Sequence, residues 1–369
     1  MLKTPHIAFP CCQSVIRRLD RRISLLAVVL VLSSCAKTLT REEPLELTLR
    51  PVASSITKAD PELSGTSLGN NNSYVILASA SATGEPEYLT GQLFAYFAST
   101  GRWMAASASG PGIAGNYTHA AKSWPLSGTT VDFLALALRP VAYTHLTEDP
   151  GSITWYNASQ GGSAGGVTIA NWDTYANQYD VMYAVKNGQS VGTSTDGNIS
   201  LEFQHTLAVV GFSARSTVSG TGGVFTLKGI TLNGLNHVGT MTIDNTKTEV
   251  ETVWSSLTSA DKPMLKKDAN PATAELNYSV SYVSTPAQCT QHLLVIPQAS
   301  RSATLTYRVQ NSVTDLTVNL PLPRLNWKAG HRYIYNLVFT PTEIQVESVT
   351  VSELTGSDIV HVGGILINE

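Results

Sequence analysis

Catalysis needs nucleophiles, acids and bases at set spacings, and this chain offers few. Gly161-Gly162-Ser163-Ala164-Gly165 has the G-x-S-x-G form of a nucleophile elbow. That elbow works between a strand and a helix, where the turn lifts the serine hydroxyl clear of the backbone. Here it lies in a glycine-rich stretch with no helix pattern after it, so a flexible loop is the expected reading. The eight histidines never fall at i, i+2 or i, i+4, so neither H-x-H nor H-E-x-x-H zinc geometry is present. His205 follows an alternating strand and is expected to satisfy a backbone carbonyl at a sheet edge. Glu148-Asp149-Pro150-Gly151 and Asp196-Gly197-Asn198 read as turns, and no segment has the D-x-D-x-D-G spacing of a calcium loop. Two carboxylates from distant strands could still serve a glycosidase. Six Trp and 14 Tyr could form a carbohydrate platform, although such residues more often pack cores and turns. The expectation is therefore no catalytic residue, no metal and no cofactor.

The whole chain sets the frame for these residues. It has 369 residues, 14% charged and 43% hydrophobic, with 28 Gly and 17 Pro. That length allows two domains of ordinary size. No apolar run reaches the ~18 residues of a membrane-spanning helix. The net charge is -3, with no basic block in the body of the chain, so nucleic acid has no electrostatic footprint to bind.

Residues 1–34 read as a signal peptide. Arg17, Arg18, Arg21 and Arg22 form its positive region and Ile23–Leu32 its apolar region. It ends Leu32-Ser33-Ser34-Cys35, which resembles a bacterial lipobox, so Cys35 is expected to become the first mature residue and to carry lipid. Residues 35–44 read as a polar tether. Cleavage removes Cys11 and Cys12 and leaves Cys289 as a lone thiol, so the mature chain forms no internal disulfide.

From Leu45 onward the pattern is short strands punctuated by Gly, Asn, Asp and Pro. Glu46–Arg50 and Ile199–Phe203 alternate apolar and polar residues. Val131–Leu138 is the strongest apolar strand of the first half, and Ile153–Tyr156 and Asp180–Val185 follow it. Later strands are read at Leu207–Ala214, Gly223–Leu232, Met241–Ile243, Leu293–Ile296, Thr304–Val309, Tyr333–Phe339 and Ile344–Val351, the last with a bulge at Ser348. Lys247–Ser259 is the one helix-like stretch, and it is rich in Thr, Val and Ser. The reading is all-β, two antiparallel sandwiches in series, with a boundary near Gly192 in the polar stretch Lys186–Gly197. The domains are thus 45–191 and 192–369, the second ending in a tail at 356–369.

The order of several segments resembles the fimbrillin family of type V pilus subunits of Bacteroidota. These are Tyr74–Leu77, Gln92–Tyr96, Trp103, Ser123–Gly128, Val131–Ala135 and Tyr179–Ala184, then Leu201–Ala208, Leu293–Gln298 and Trp327–Tyr335. The resemblance implies two transthyretin-like β-sandwich domains and a structural or adhesive role rather than catalysis. It also implies donor-strand exchange, in which a protease removes the first strand and a neighbouring subunit fills the groove. The leaving strand would be Leu45–Ala53, with Leu45, Leu47 and Leu49 on one face. The donor would be the tail, where Ile359, His361, Gly363, Ile365 and Ile367 alternate with their neighbours; the alternative is that the tail pairs within its own domain. The family's cut usually follows an Arg just after the first strand; here Lys58 stands there. Partners would be other pilus subunits, the outer membrane through the lipid, and a host or bacterial surface ligand. The protein would be lipid-anchored at the cell surface, within a fimbrium. The alternative is a surface glycan-binding lipoprotein on the same sandwiches.

Overall fold

The computed structural model describes residues 45–53, 74–108, 117–125, 129–138, 153–156, 165–193, 197–220, 224–245, 250, 252–267, 269 and 272–354. These residues are all-β. The first ten strands are β1 (Thr48–Ala53), β2 (Val75–Ala82), β3 (Glu85–Phe97), β4 (Arg102–Ala108), β5 (Tyr117–His119), β6 (Val131–Leu138), β7 (Ile153–Tyr156), β8 (Gly166–Asp173), β9 (Met182–Gln189) and β10 (Asn198–His205). The rest are β11 (Ala208–Ser216), β12 (Phe225–Asp244), β13 (Thr252–Pro263), β14 (Tyr278–Val280), β15 (Ala287–Gln288), β16 (Leu293–Val295), β17 (Ser302–Val309), β18 (Leu316–Pro321), β19 (His331–Phe339) and β20 (Ile344–Glu353).

The first sheet runs β1-β10-β9-β6-β2-β3-β4-β5, and β1 also pairs with β4. The sheet therefore closes on itself, leaving only β5 outside the ring. Closure removes free edges, which an open sheet must otherwise protect. Leu47, Leu49, Ile76, Phe94, Trp103, Phe133, Leu201 and Phe203 fill the interior. Ala78, Ala80, Ala135, Ala137 and Ala184 share it, and their small side chains leave room for the rings. The alternation of β10 explains its orientation, with Ile199, Leu201 and Phe203 buried and Ser200 and Glu202 exposed. β2 and β6 read as continuous apolar runs because both their faces are covered. Their outward residues Val75, Leu77, Leu134 and Leu136 pack with Val167 and Ile169 of β8 and Met241 and Ile243 of β12.

The second body is a two-layer sandwich. One sheet runs β15-β11-β19-β20, with β16 also on β11; the other runs β18-β17-β12-β8-β7, with β13 and β14 also on β12. Phe212, Leu227, Ile230, Leu305, Tyr335, Leu337 and Phe339 fill the space between them. Phe212 and Tyr335 stack with centroids 5.4 Å apart. The Trp327–Gly330 turn that precedes β19 is tied down by its own strand. Trp327 Nε1 donates to Tyr335 Oη (2.9 Å) and Lys328 N to Tyr333 Oη (2.9 Å). Gly330 sits at φ 72°, where a side chain would be strained.

Four readings from sequence differ in detail. The sheets do not part at Gly192: β9 and β10, on either side of it, pair in the ring, while β7 and β8, before it, join β12. The polar stretch there holds a tight turn, with Thr193 N donating to Ser190 O at 3.0 Å, not a linker. The pairing is not wholly antiparallel, since β1 runs parallel to β10 and β11 parallel to β19. Gly223–Leu232 and Met241–Ile243 belong to one 20-residue strand, β12. The helix-like stretch runs into β13, which takes up its residues from Thr252 to Ser259 and continues to Pro263, in keeping with its Thr, Ser and Val content. The bulge in β20 is real, with Asn336 opposite Ser348 but Leu337 opposite Val346. Glu347 is thus the extra residue. Its carboxylate receives Arg215 Nε at 2.7 Å, and that bond holds it below the usual carboxylate range.

Cys289 is 1% exposed, and burial pushes its thiol up to about 12. Its Sγ donates to Phe212 O at 3.3 Å. The thiolate is the reactive form, so Cys289 should escape alkylation in the native chain at pH 8 and react fully in denaturant. Peptide mapping by mass spectrometry checks this.

Candidate functional site: the first strand and its groove

β1 is the strand that closes the ring. Each of its residues from Thr48 to Ala53 has a partner in β10, from Asn198 to Phe203. On its other side only Thr48 and Leu49 have partners, Met104 and Trp103 of β4. This asymmetry accommodates Pro51. A proline cannot donate to a ladder, and it falls where only one flank is registered. Leu47 and Leu49 are 0% and 2% exposed, whereas Leu45, expected on the same buried face, is 40% exposed. Leu45 lies at the rim because the ladder with β10 begins only at Thr48.

The backbone just before β1 is held from the opposite wall. Leu47 N donates to Lys122 O at 2.7 Å, and Trp124 N donates to Leu45 O at 2.9 Å. Gly197 O accepts from both Thr48 N and Trp124 Nε1, each at 3.1 Å. Gly197 has φ 79°, and a Cβ there would lie 2.4 Å from Glu46 O, so only glycine lets the two segments meet. Thr48 Oγ1 donates to Asn198 Oδ1 at 2.6 Å. Glu46 pairs with His119 at the partly exposed rim, a contact of small energetic weight. Tyr88 Oη donates to Ser123 O. Burial, with the Glu85 charge adding, raises the Tyr88 phenol above its ordinary range, so it stays a donor.

This arrangement holds a strand by main-chain bonds and two leucines. Elsewhere, His205 pairs with buried Asp180, so a carboxylate meets its ring, and His237 Nδ1 lies 3.2 Å from Asp173 Oδ1. Among the described residues, no three His, Cys, Asp or Glu gather as a metal site. Trp103, Trp124, Trp172 and Trp327 are buried and Trp155 and Trp254 half-buried, so no tryptophan forms an exposed platform. Cys35, Lys58, the G-x-S-x-G serine and the tail residues Ile359, His361, Gly363, Ile365 and Ile367 lie outside the described residues. The residues that sequence reasoning missed are Met104, Asn198 and Gly197. The signal for Gly197 was present in Asp196-Gly197, but it reads locally as a turn and says nothing of the strand that crosses it.

The model of a family described as fimbrillin-like matches residues 66–353. The chain belongs to the fimbrillin-like family. β1 precedes the matched span and the tail follows it. No curated protein is matched by the chain. Among solved structures, the chain is similar to one assigned to cell adhesion from Bacteroides uniformis, at 14% identity and TM-score 0.48, covering 84% of this chain and 98% of that one. It is also similar to a fimbrial assembly protein from Parabacteroides distasonis, at 12% identity and TM-score 0.39, covering 84% and 99%. A third is the fimbrial anchor protein Mfa2 from Porphyromonas gingivalis, at 10% identity and TM-score 0.34, covering 85% and 99%. Family membership rests on the 66–353 match and not on these likenesses.

Gly197→Ala tests how β1 is seated. The added Cβ strains a left-handed backbone by about 1–2 kcal/mol and collides with Glu46 O. Amides of Thr48 and Leu49 should exchange with solvent at least tenfold faster, while those of β11 keep their protection. Hydrogen exchange read by mass spectrometry checks both.

Proposed function

We propose that this chain is a subunit of a cell-surface pilus that assembles by exchange of its first strand. Family membership supports the pilus role. The observation that carries the exchange is the place of β1, held by main-chain pairing to β10 and by Leu47 and Leu49 in the ring's core. Taking β1 away bares Ile199, Leu201, Phe203 and Trp103 together with an unpaired backbone edge. An incoming strand then gains hydrogen bonds and apolar burial at once, which is the physics of β-augmentation.

In this reading Cys35 carries the lipid that brings the precursor to the outer membrane. A protease cuts at Lys58, between β1 and β2, and the tail of a neighbouring subunit enters. A cut before Leu45 would release the lipid and leave the groove filled, so a useful cut must fall after β1. With the tryptophans buried or half-buried, the glycan-binding alternative would have to draw its platform from tyrosines such as Tyr282, which is 61% exposed.

Four variants test the scheme. Cys35→Ala should leave the membrane fraction. Deleting Asp358–Glu369 should give a folded monomer that adds to no polymer, read as loss of the ladder on a denaturing gel. Lys58→Ala should leave full-length, lipid-bound monomer, and Lys58→Arg should restore processing. An intact mature N-terminus at Cys35 in both the wild type and Lys58→Ala would remove the cut. The subunit would then keep its own first strand, as a lipid-retaining anchor or accessory subunit.

A further inference from the structure

The groove under β1 holds one polar atom that its present occupant leaves unmet. Trp103 is 3% exposed, and its Nε1 has no hydrogen-bond partner among the described residues. Trp103 stands directly across from Leu49 in the β1–β4 ladder, and both side chains belong to the ring's core. A leucine fills space there but accepts no hydrogen bond, and a buried indole N–H ordinarily finds an acceptor. β1 thus matches the shape of the groove and not its hydrogen-bonding need. Trp172 Nε1 is also unmet, but it lies in the outer layer, away from β1.

The tail contains one residue suited to this position. From Ile359 to Ile367, His361 alone has a side-chain hydrogen-bond acceptor, since a neutral imidazole keeps one ring nitrogen free to accept. In the polarity of β1, His361 on Leu49 puts Ile359 on Leu47, Val360 on Thr48, Gly363 on Pro51 and Ile365 on Ala53. Ile359 keeps an aliphatic group in the core. Val360 keeps the shape of Thr48 without its hydroxyl, and Asn198, which is half-exposed, can take water in exchange. Two other registers fare worse. Ile365–Ile367 on Leu47–Leu49 leaves the indole unmet and puts Leu366 on Thr48, which is 1% exposed. His361–Gly363 on the same positions puts glycine where Leu49 fills the core.

Resting on the exchange reading above, we propose that Trp103 sets the register of the groove, and that its mature occupant is the tail of a second copy of this chain with His361 against Trp103. The resident strand then serves as a stand-in that leaves a donor unsatisfied, and exchange relieves it.

The test uses the full mature chain with a protease site engineered at Lys58, cut and folded, and a labelled peptide spanning Ser357–Glu369. Native mass spectrometry and fluorescence anisotropy follow loss of the β1 fragment and capture of the peptide. A His361→Leu peptide should bind about tenfold more weakly, the scale of one buried donor left unmet. A His361→Gln peptide, which keeps an acceptor, should bind nearly as well as the native tail. Against Trp103→Phe, which has no indole N–H, native and His361→Leu peptides should bind alike. Equal capture of native and His361→Leu peptides by the native groove would overturn the register while leaving strand exchange intact. A penalty for His361→Leu that persists in Trp103→Phe would do the same. A groove that captures neither peptide would overturn strand exchange, and the register with it.

Discussion

The parallel ladder between β1 and β10 decides whether the first body is a closed ring or an open sheet. Six residues of β1 lie in register with β10, and two of them are also in register with β4. Leu47 and Leu49 add apolar burial of about 1.5–3 kcal/mol each. Without that strand, two edges and one wall of the core are exposed together, and neither can be hidden by a small local shift. The groove is therefore strongly biased toward being filled, and in the proposed exchange the identity of the filling strand is what changes.

The second body does not depend on that strand for its core. Its interior is built from β11, β12, β17, β19 and their neighbours, with no contribution from β1. The two bodies are nonetheless joined by more than chain continuity. β8 and the end of β12 cover the outer face of the ring. The Gln178 side chain, just before β9, accepts from Leu294 N at 2.7 Å and donates to Leu294 O at 3.1 Å. A ring opened at β1 still has its far wall, β2 and β6, fixed to the sandwich. Loss of one strand should thus open a slot rather than unfold the chain.

Local patterns carried most of the strands. Val131–Leu138 and Ile153–Tyr156 are read from sequence with the same bounds the structure gives them, because an apolar run between turn signals specifies a strand by itself. The bulge near Ser348 was legible because alternation slips there. Partnership between strands was not. Whether β10 pairs with β9 depends on contacts about 20 residues apart, and whether β1 lies parallel to β10 on contacts 150 residues apart, and neither leaves a periodic trace. The same limit hides the pairing of β9 with β10 across the turn near Gly192, since turns inside a ring and turns between domains have the same composition. At the site, Leu47 and Leu49 were legible as one apolar face, whereas Gly197 and the β4 flank became visible only once the chain had crossed itself.

The central claim is that β1 is a removable wall and not a keystone. Hydrogen exchange of a chain beginning at Ser54, set against one beginning at Leu45, tests it most directly. The account predicts that protection falls along Asn198–Phe203 and at Trp103 and Met104, while β11, β12 and β19 keep theirs. Collapse of protection across β11, β12 and β19, or unchanged protection along Asn198–Phe203, would contradict it.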